Sequence, residues 1–355
     1  MADRVTIQDI ADELGVSRNT VSKAINNTGI LADATREKVL KKAIEMGYKQ
    51  FSYVNISDFE LSDSPLTTSG KREIALFTSN FIGSSHFAST MLDKFQRELS
   101  VLGYSFTMHR LQENEIQQLS LPASYAEERT AGIICIEMFD RNYCAMLCSL
   151  DTPVLFVDSP AYCGEEPLKA DHLYMDNQSN IHLFVREMVR RGKKKIGFIG
   201  DPLHCQSFFE RYMGYRNAMY LSGLSCPEDC CITGHKINMK NPEYEEYRAY
   251  LLDKIKDLKK LPDVFICAND FVAMDALMAF KKLGISVPDD IYLCGFDDSP
   301  ESRVISPSLT TVHIHSQIMG FSAVHLLLSR IKEPSLNFRT IHTETDLIFR
   351  ESTGD

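Results

Sequence analysis

From Glu73 onward the chain carries six short apolar runs, EIALFTS, GIICIEM, PVLFVDS, KIGFIGD, DVFICAND and DIYLCGFDD, each ending in polar residues. Between them lie stretches of helical periodicity, among them 89–102, 180–191 and 271–283. A strand without polar alternation must be covered on both faces, and strands that alternate with amphipathic helices pair in parallel through crossovers. Residues 72–355 are too many for one small layer, so the pattern predicts two α/β lobes with a cleft between them. In such sheets ligands bind outside the carboxyl ends of the strands.

The first fifty residues follow another rhythm. Thr6 opens a helix with Asp9 three residues later, a near capping box, and Ile7, Ile10, Ala11 and Leu14 share one face. Gly15 supplies the freedom in φ that a tight turn needs, and Ser17 caps a second helix with Val21, Ala24 and Ile25 inward. Small Ala11, turn-forming Gly15 and buried Val21 have the spacing of two helices crossing steeply through a short turn. A third helix is expected over 33–46, with Val39, Leu40, Ala43 and Ile44 inward and Gly47 as its stop.

The outward face of the second helix holds Arg18, Asn19, Ser22, Lys23 and Asn26. Arginine suits guanine and asparagine suits adenine in the major groove, and the first turn of such a helix points at base edges. Ser17, Thr20 and Ser22 offer hydroxyls to phosphates, and Thr6 is a further expected DNA contact. The plainer alternative is a three-helix structural domain with a solvated polar face.

Charge and composition exclude several classes. The net charge is −10, yet residues 1–50 hold eight Lys/Arg against seven Asp/Glu, so the acidic excess lies elsewhere. Phosphate contact depends on the local face, so an acidic body leaves DNA binding open. No apolar stretch has the length of a membrane span, and MADRVTIQDIADELG lacks the apolar run of a signal peptide, so a cytoplasmic chain without membrane contact is expected. In that compartment the ten cysteines are ordinary thiols. Cys226, Cys230 and Cys231 near His235 have the wrong spacing for zinc, and no metal or cofactor is expected. The RRGKKK run at 190–195 lies between a helix and a strand and fits a solvated turn better than a nucleic-acid patch.

At the strand ends stand Asp158, Asn269, Asp270, Asp297 and Asp298, while Arg211 sits near a helix start. Such carboxylates and amides can bind sugar hydroxyls in fixed directions. They can equally cap the next helix, which Asp270 before Phe271 fits, and Arg211 can equally form a surface ion pair.

VTIQDIADELGVSRNTVSKAINN closely resembles the start of the LacI/GalR (lactose-repressor) family of transcription regulators, and TREKVLKKAIEMGY resembles its third helix. RGKKKIGFIGDP, ERYMGYRNAM, ANDFVAMDALMAFKKLGISVPDDIYLCGFDD, SLTTVHI and LIFREST resemble its effector-binding core. The resemblance implies an all-α helix-turn-helix headpiece (1–49), a linker (50–71) and a two-lobed, periplasmic-binding-protein-like core with parallel sheets (72–355). By position it makes Arg18 and Asn19 the chief base readers. It makes His86, Phe87, Asp158, Arg211, Asn269 and Asp297 the effector contacts, with His86 and Phe87 in a loop that lines the cleft. Four positions depart from the family pattern. Lys23 replaces an arginine, Gln50 replaces a proline, Ser57 falls where a minor-groove wedge leucine would align, and Ile314 replaces a polar ligand contact. The acidic, Ser/Thr-rich linker therefore favours a flexible segment, with Ile56 or Leu61 as a minor-groove wedge the alternative.

The expected function is a sequence-specific DNA-binding regulator, a repressor, working as a homodimer on a pseudo-palindromic double-stranded operator. A small molecule between the lobes, a sugar or sugar derivative, would tune its affinity; the alternatives are a nucleobase or nucleoside effector, or none. Enzyme function is not expected, because no G-x-S-x-G, H-E-x-x-H, P-loop or strand-following G-x-G-x-x-G occurs. A transport-type binding protein would have no use for a helix-turn-helix.

Overall fold

The computed structural model describes residues 6–25, 31, 33–46, 71–79, 86–162, 164–226, 228–234 and 244–355. The chain divides into two compact units, Met1–Thr68 and Ser69–Asp355. The proposed linker lies almost wholly outside the described residues, as do Gly47, Ile56 and Leu61.

In the first unit, helices α1 (Ile7–Leu14), α2 (Arg18–Ile25) and α3 (Asp33–Glu45) follow the expected order. Thr6 and Asp9 close a complete capping box: the Thr6 N–H donates to Asp9 Oδ2 at 2.7 Å, and the Asp9 N–H donates to Thr6 Oγ1 at 3.3 Å. Gly15 ends α1 in the left-handed region at φ 63°. Ile10, Ala11, Val21, Ala24, Ile25, Val39 and Ala43 form the buried core, with Ile7, Leu14 and Val16 packed against it. The side chains of Leu40 and Ile44 are outside the described set.

The second unit contains two parallel sheets. The first lobe has six strands in the order β10-β5-β4-β3-β1-β2: β1 (Glu73–Thr78), β2 (Ser105–Arg110), β3 (Thr130–Ile136), β4 (Val154–Val157), β5 (Asp171–Met175) and β10 (Thr340–Thr343). All its neighbouring strands run parallel. Its helices include α4 (His86–Val101), α5 (Glu113–Gln117) and α6 (Arg141–Leu147). The second lobe pairs β6 (Ile196–Ile199), β7 (Val264–Cys267) and β8 (Tyr292–Cys294) in parallel. Around it lie α7 (Ser179–Arg190), α8 (Gln206–Leu221), α9 (Tyr244–Lys256), α10 (Asp270–Leu283) and α11 (Pro300–Val304). An antiparallel pair, β9 (Thr311–Ile314) with β11 (Thr345–Ile348), completes this lobe beside β8 through bridges at Thr310 and His313.

The chain passes between the lobes three times: after β5, between β9 and α12 (Ser316–Lys332), and between β10 and β11. Helix α12 returns to the first lobe and packs along α4 and strands β3 to β5. Its Gly320 allows close approach, since a Cβ there would stand 2.5 Å from the carbonyl oxygen of Met91 in α4. Among the described residues no helix is long and apolar enough to cross a membrane, and no cluster of three or more His, Cys, Asp or Glu is placed to hold a metal.

Candidate functional site

In the helix-turn-helix unit, Arg18 and Asn19 are exposed in the first turn of α2, while Thr20, Ser22 and Lys23 are half-buried along it. Ser17 holds the N-terminus: its Oγ accepts from the Thr20 N–H at 3.0 Å and lies 2.8 Å from the Thr20 hydroxyl. Thr6 likewise spends its hydroxyl on Asp9, at 2.8 Å. Both side chains thus set helix ends as well as lining the face expected to meet DNA. Asn26 is outside the described residues.

In the core, the carboxyl ends of strands from both lobes meet around Arg211. Arg211 lies in the second turn of α8, further in than the helix start expected from sequence, and is 3% exposed. Its Nε donates to Asn177 Oδ1 at 2.9 Å and its Nη1 to the Ala268 carbonyl at 2.6 Å. Nη1 also stands 3.6 Å from Asp297 Oδ1, and the guanidinium lies 3.6 Å over the Phe296 ring. Each N–H that takes a protein acceptor fixes the direction of the rest.

Asp158 reaches in from the end of β4. Its Oδ1 accepts from the N–H groups of Ser159 at 2.8 Å and Ser207 at 3.1 Å. Ser207 is in the first turn of α8, so a first-lobe carboxylate satisfies a helix N-terminus of the second lobe. The Gln206 N–H donates to the Ser159 carbonyl at 2.8 Å and strengthens the same seam. Burial raises the Asp158 pKa, against the opposing pull of those N–H bonds and of Arg211. Burial pushes Asp297 further, to about 8; Arg211 opposes the shift, while the charges of Asp270, Glu137 and Asp158 add to it. Glu137, Asp158 and Asp297 all hold positive φ, at 53°, 60° and 117°. Sharp backbone turns at three strand ends thus bring Asp158 and Asp297 to the Arg211 guanidinium, with the charge of Glu137 felt at Asp297.

Aromatic rings close one side. Phe139 of the first lobe meets His204 of the second at 5.2 Å between centroids, and His204 in turn meets Phe208 at 5.0 Å. Sequence reasoning missed Glu137, Phe139, Asn177 and His204. The first two could have been found, since they end and follow the GIICIEM run, but nothing local marks the others.

Several expectations are corrected. Asn269 rather than Asp270 caps α10, its Oδ1 accepting from the Val272 N–H at 2.9 Å. Asp270 turns inward and accepts from the Thr311 hydroxyl at 2.6 Å and the Ser299 N–H at 2.8 Å. Ile314, where the resemblance implied a lost polar contact, is 3% exposed, sits in the apolar core and pairs with Thr345. Phe87 stands in the first turn of α4 instead of a loop and packs partly buried against the core. The side chain of His86 is outside the described set. Asn269 joins the Arg211 group through its neighbour Ala268, whereas Phe87 has no hydrogen bond or ring contact that ties it to Arg211, Asp158 or Asp297.

A family model described as bacterial regulatory proteins, lacI family, matches residues 6–50, and one described as a periplasmic binding protein-like domain matches residues 185–353. The HTH-type transcriptional repressor PurR of Vibrio parahaemolyticus serotype O3:K6 (strain RIMD 2210633) is 27% identical over 98% of each chain. The PurR of Photobacterium profundum is 25% identical over 99% of each. A solved transcriptional regulator CelR–cellobiose complex superposes with a TM-score of 0.67 at 24% identity, covering 98% of this chain and 100% of that one. A lac repressor dimer bound to operator and the anti-inducer ONPF gives a TM-score of 0.61 at 22% identity over 99% of both chains. With a helix-turn-helix at one end and a two-lobed parallel core behind it, the chain belongs to the lacI family of bacterial regulatory proteins and is a DNA-binding transcription regulator.

Proposed function

We propose that the protein is a repressor whose operator affinity is set by a polar, ring-shaped small molecule held where the lobes meet, with Arg211, Asn269, Asp158 and Asp297 as its polar contacts. The observation that carries this reading is the convergence of strand ends from both lobes on Arg211. A ligand there touches both lobes at once, so it favours one arrangement of them and shifts operator affinity by linkage. Phe139, His204 and Phe208 offer ring faces, and the carboxylates offer acceptors for hydroxyl or N–H donors. Both a sugar and a nucleobase present that combination. A sugar has the added support that the structural neighbour CelR was solved with cellobiose.

At the other end, Arg18 and Asn19 read base edges, Ser17, Thr20 and Ser22 contact the phosphate backbone, and Thr6, Lys23 and Asn26 complete the contact with double-stranded DNA. The pseudo-palindromic operator and the homodimer follow from pairing two such headpieces, as the operator-bound lac repressor dimer illustrates for that protein. The domain limits 1–49, 50–71 and 72–355 belong to this proposal.

A thermal-shift screen of sugars, nucleosides and sugar phosphates identifies the ligand class, because a bound ligand raises stability with its concentration. Calorimetric titration of wild type, Arg211→Ala and Asp297→Ala with the ligand so found is expected to show sharply weakened binding in both variants. Undiminished affinity in both places the site elsewhere.

A further inference from the structure

Residues 210 and 211 of α8 diverge. Arg211 turns toward the strand ends described above, while Glu210 faces the place where the chain passes between the lobes. Its Oε2 accepts from Asn177 Nδ2 at 2.9 Å, and its Oε1 accepts from Gln206 Nε2 at 3.1 Å. Asn177, 1% exposed, lies on the first passage between lobes and holds Arg211 with the other end of its amide. Across the junction, His342 Nε2 on edge strand β10 stands 3.4 Å from Glu210 Oε2, just before the chain passes back into β11. A histidine thus meets a carboxylate of the opposite lobe beside two of the three passages.

We propose that His342 and Glu210 form a protonation-dependent latch between the lobes, closed while His342 carries its proton and loosened as pH rises. The proposal is independent of the ligand assigned to the Arg211 site. The charged and titratable groups around His342 favour the proton. From α8 comes Glu210. From β5 and its end come Asp176, Tyr174, whose ring lies 5.3 Å from that of His342, and His172 stacked behind Tyr174 at 5.8 Å. The bond to Glu210 raises the His342 pKa, burial opposes it, and the charges of Glu210 and Asp176 add to the rise. Burial pushes Glu210 up, but its bonds to His342, Asn177 and Gln206 outweigh that and hold it below its ordinary value. Burial lowers the His172 pKa, against the pull of the Ala170 backbone and Asp171, which favours His342 over it as the proton's holder.

Because the folded-state value of His342 is raised, the latch is fully present below the ordinary histidine value of about 6.5 and is lost as pH climbs through the raised one. Histidine is suited to this task because it titrates near neutral pH. Glu210 stays ionised throughout that window, so His342 alone sets the state.

The test uses the full chain, with ¹³C-labelled histidine followed by NMR from pH 5 to 9, and His342→Gln to assign the resonance. The His342 midpoint is expected above the ordinary value, and Glu210→Gln should bring it down. Hydrogen exchange, corrected for intrinsic rate at each pH, reads the lobes directly. Protection of amides at 176–178 and 343–345 is expected to fall roughly two- to fivefold between pH 6 and pH 8, the range of a half-exposed ion pair. That fall should vanish in Glu210→Gln and in His342→Phe, which keeps the ring against Tyr174 while removing the charge. A His342 midpoint at or below the ordinary value overturns the latch. So does pH-dependent protection that persists in either variant, or protection that is flat with pH in the wild type.

Discussion

The carboxylate of Asp158, at the end of β4 in the first lobe, accepts from the backbone N–H of Ser207, in the first turn of α8 in the second lobe, at 3.1 Å. Cys205, at the N-cap of that helix, makes no side-chain cap of its own. The helix end is therefore satisfied from the other lobe, and the orientation of α8, with Arg211 one turn further on, depends on where Asp158 stands.

Replacing Asp158 with alanine orphans the N–H groups of Ser159 and Ser207, both on buried residues. An unpaired buried donor costs about 1–3 kcal/mol. Denaturant unfolding of the ligand-free protein should show a loss of that size for Asp158→Ala and a smaller one for Asp158→Asn, whose amide oxygen still accepts. Equal losses in the two variants would mean that the charge rather than the hydrogen bonds holds the seam.

Arg18 is exposed at the start of α2. Arg18→Ala is expected to weaken binding to the specific operator by about 1–3 kcal/mol and to relax preference at one base pair. Fluorescence anisotropy with specific and random duplexes at one salt concentration separates the roles. An equal fall on both would make Arg18 a phosphate contact.

For Asp297 the sign with pH is opposite to that of a stabilising ion pair. Its folded-state pKa of about 8 exceeds the unfolded value of about 3.9, so the folded chain keeps a proton that the unfolded chain gives up. Its contribution favours folding below the unfolded value and is lost progressively as pH rises toward 8. Asp297→Asn, which imitates the protonated form, should therefore raise the melting temperature of the ligand-free protein more at pH 8 than at pH 5. A gain that is the same at both pH values would show that Asp297 stays ionised.

Gly320 lies where α12 crosses α4, with a built Cβ 2.5 Å from the Met91 carbonyl oxygen and 3.0 Å from Lys94 Cβ. In an ordinary exposed helix, glycine to alanine stabilises. Here overpacking against backbone should dominate, and Gly320→Ala is expected to cost about 1–3 kcal/mol in denaturant unfolding. A stabilised variant would mean that the two helices can part without loss.

What the sequence determined by itself is what local physics decides. The capping box of Thr6 and Asp9, the turn at Gly15 and the apolar face of Ile10, Ala11, Val21 and Ala24 lie within a few residues of one another, so the headpiece was legible. Strands β1, β3, β4, β6 and β7 were legible because each is buried along its whole length and is therefore apolar over most of it, with polar residues only at the ends of β1 and β3. Edge strands β2 and β10 were not, because one side faces water and polar residues interrupt the pattern. Tertiary structure alone decided the rest. It returned α12 to the first lobe, buried Ile314, and turned Asp270 away from its helix end toward Thr311 and Ser299. It also brought Asn177 and His342 to α8 from positions 33 and 132 residues away along the chain. A side chain's local sequence limits what it can bond to, but only the packing of distant segments decides which partner is within 3 Å.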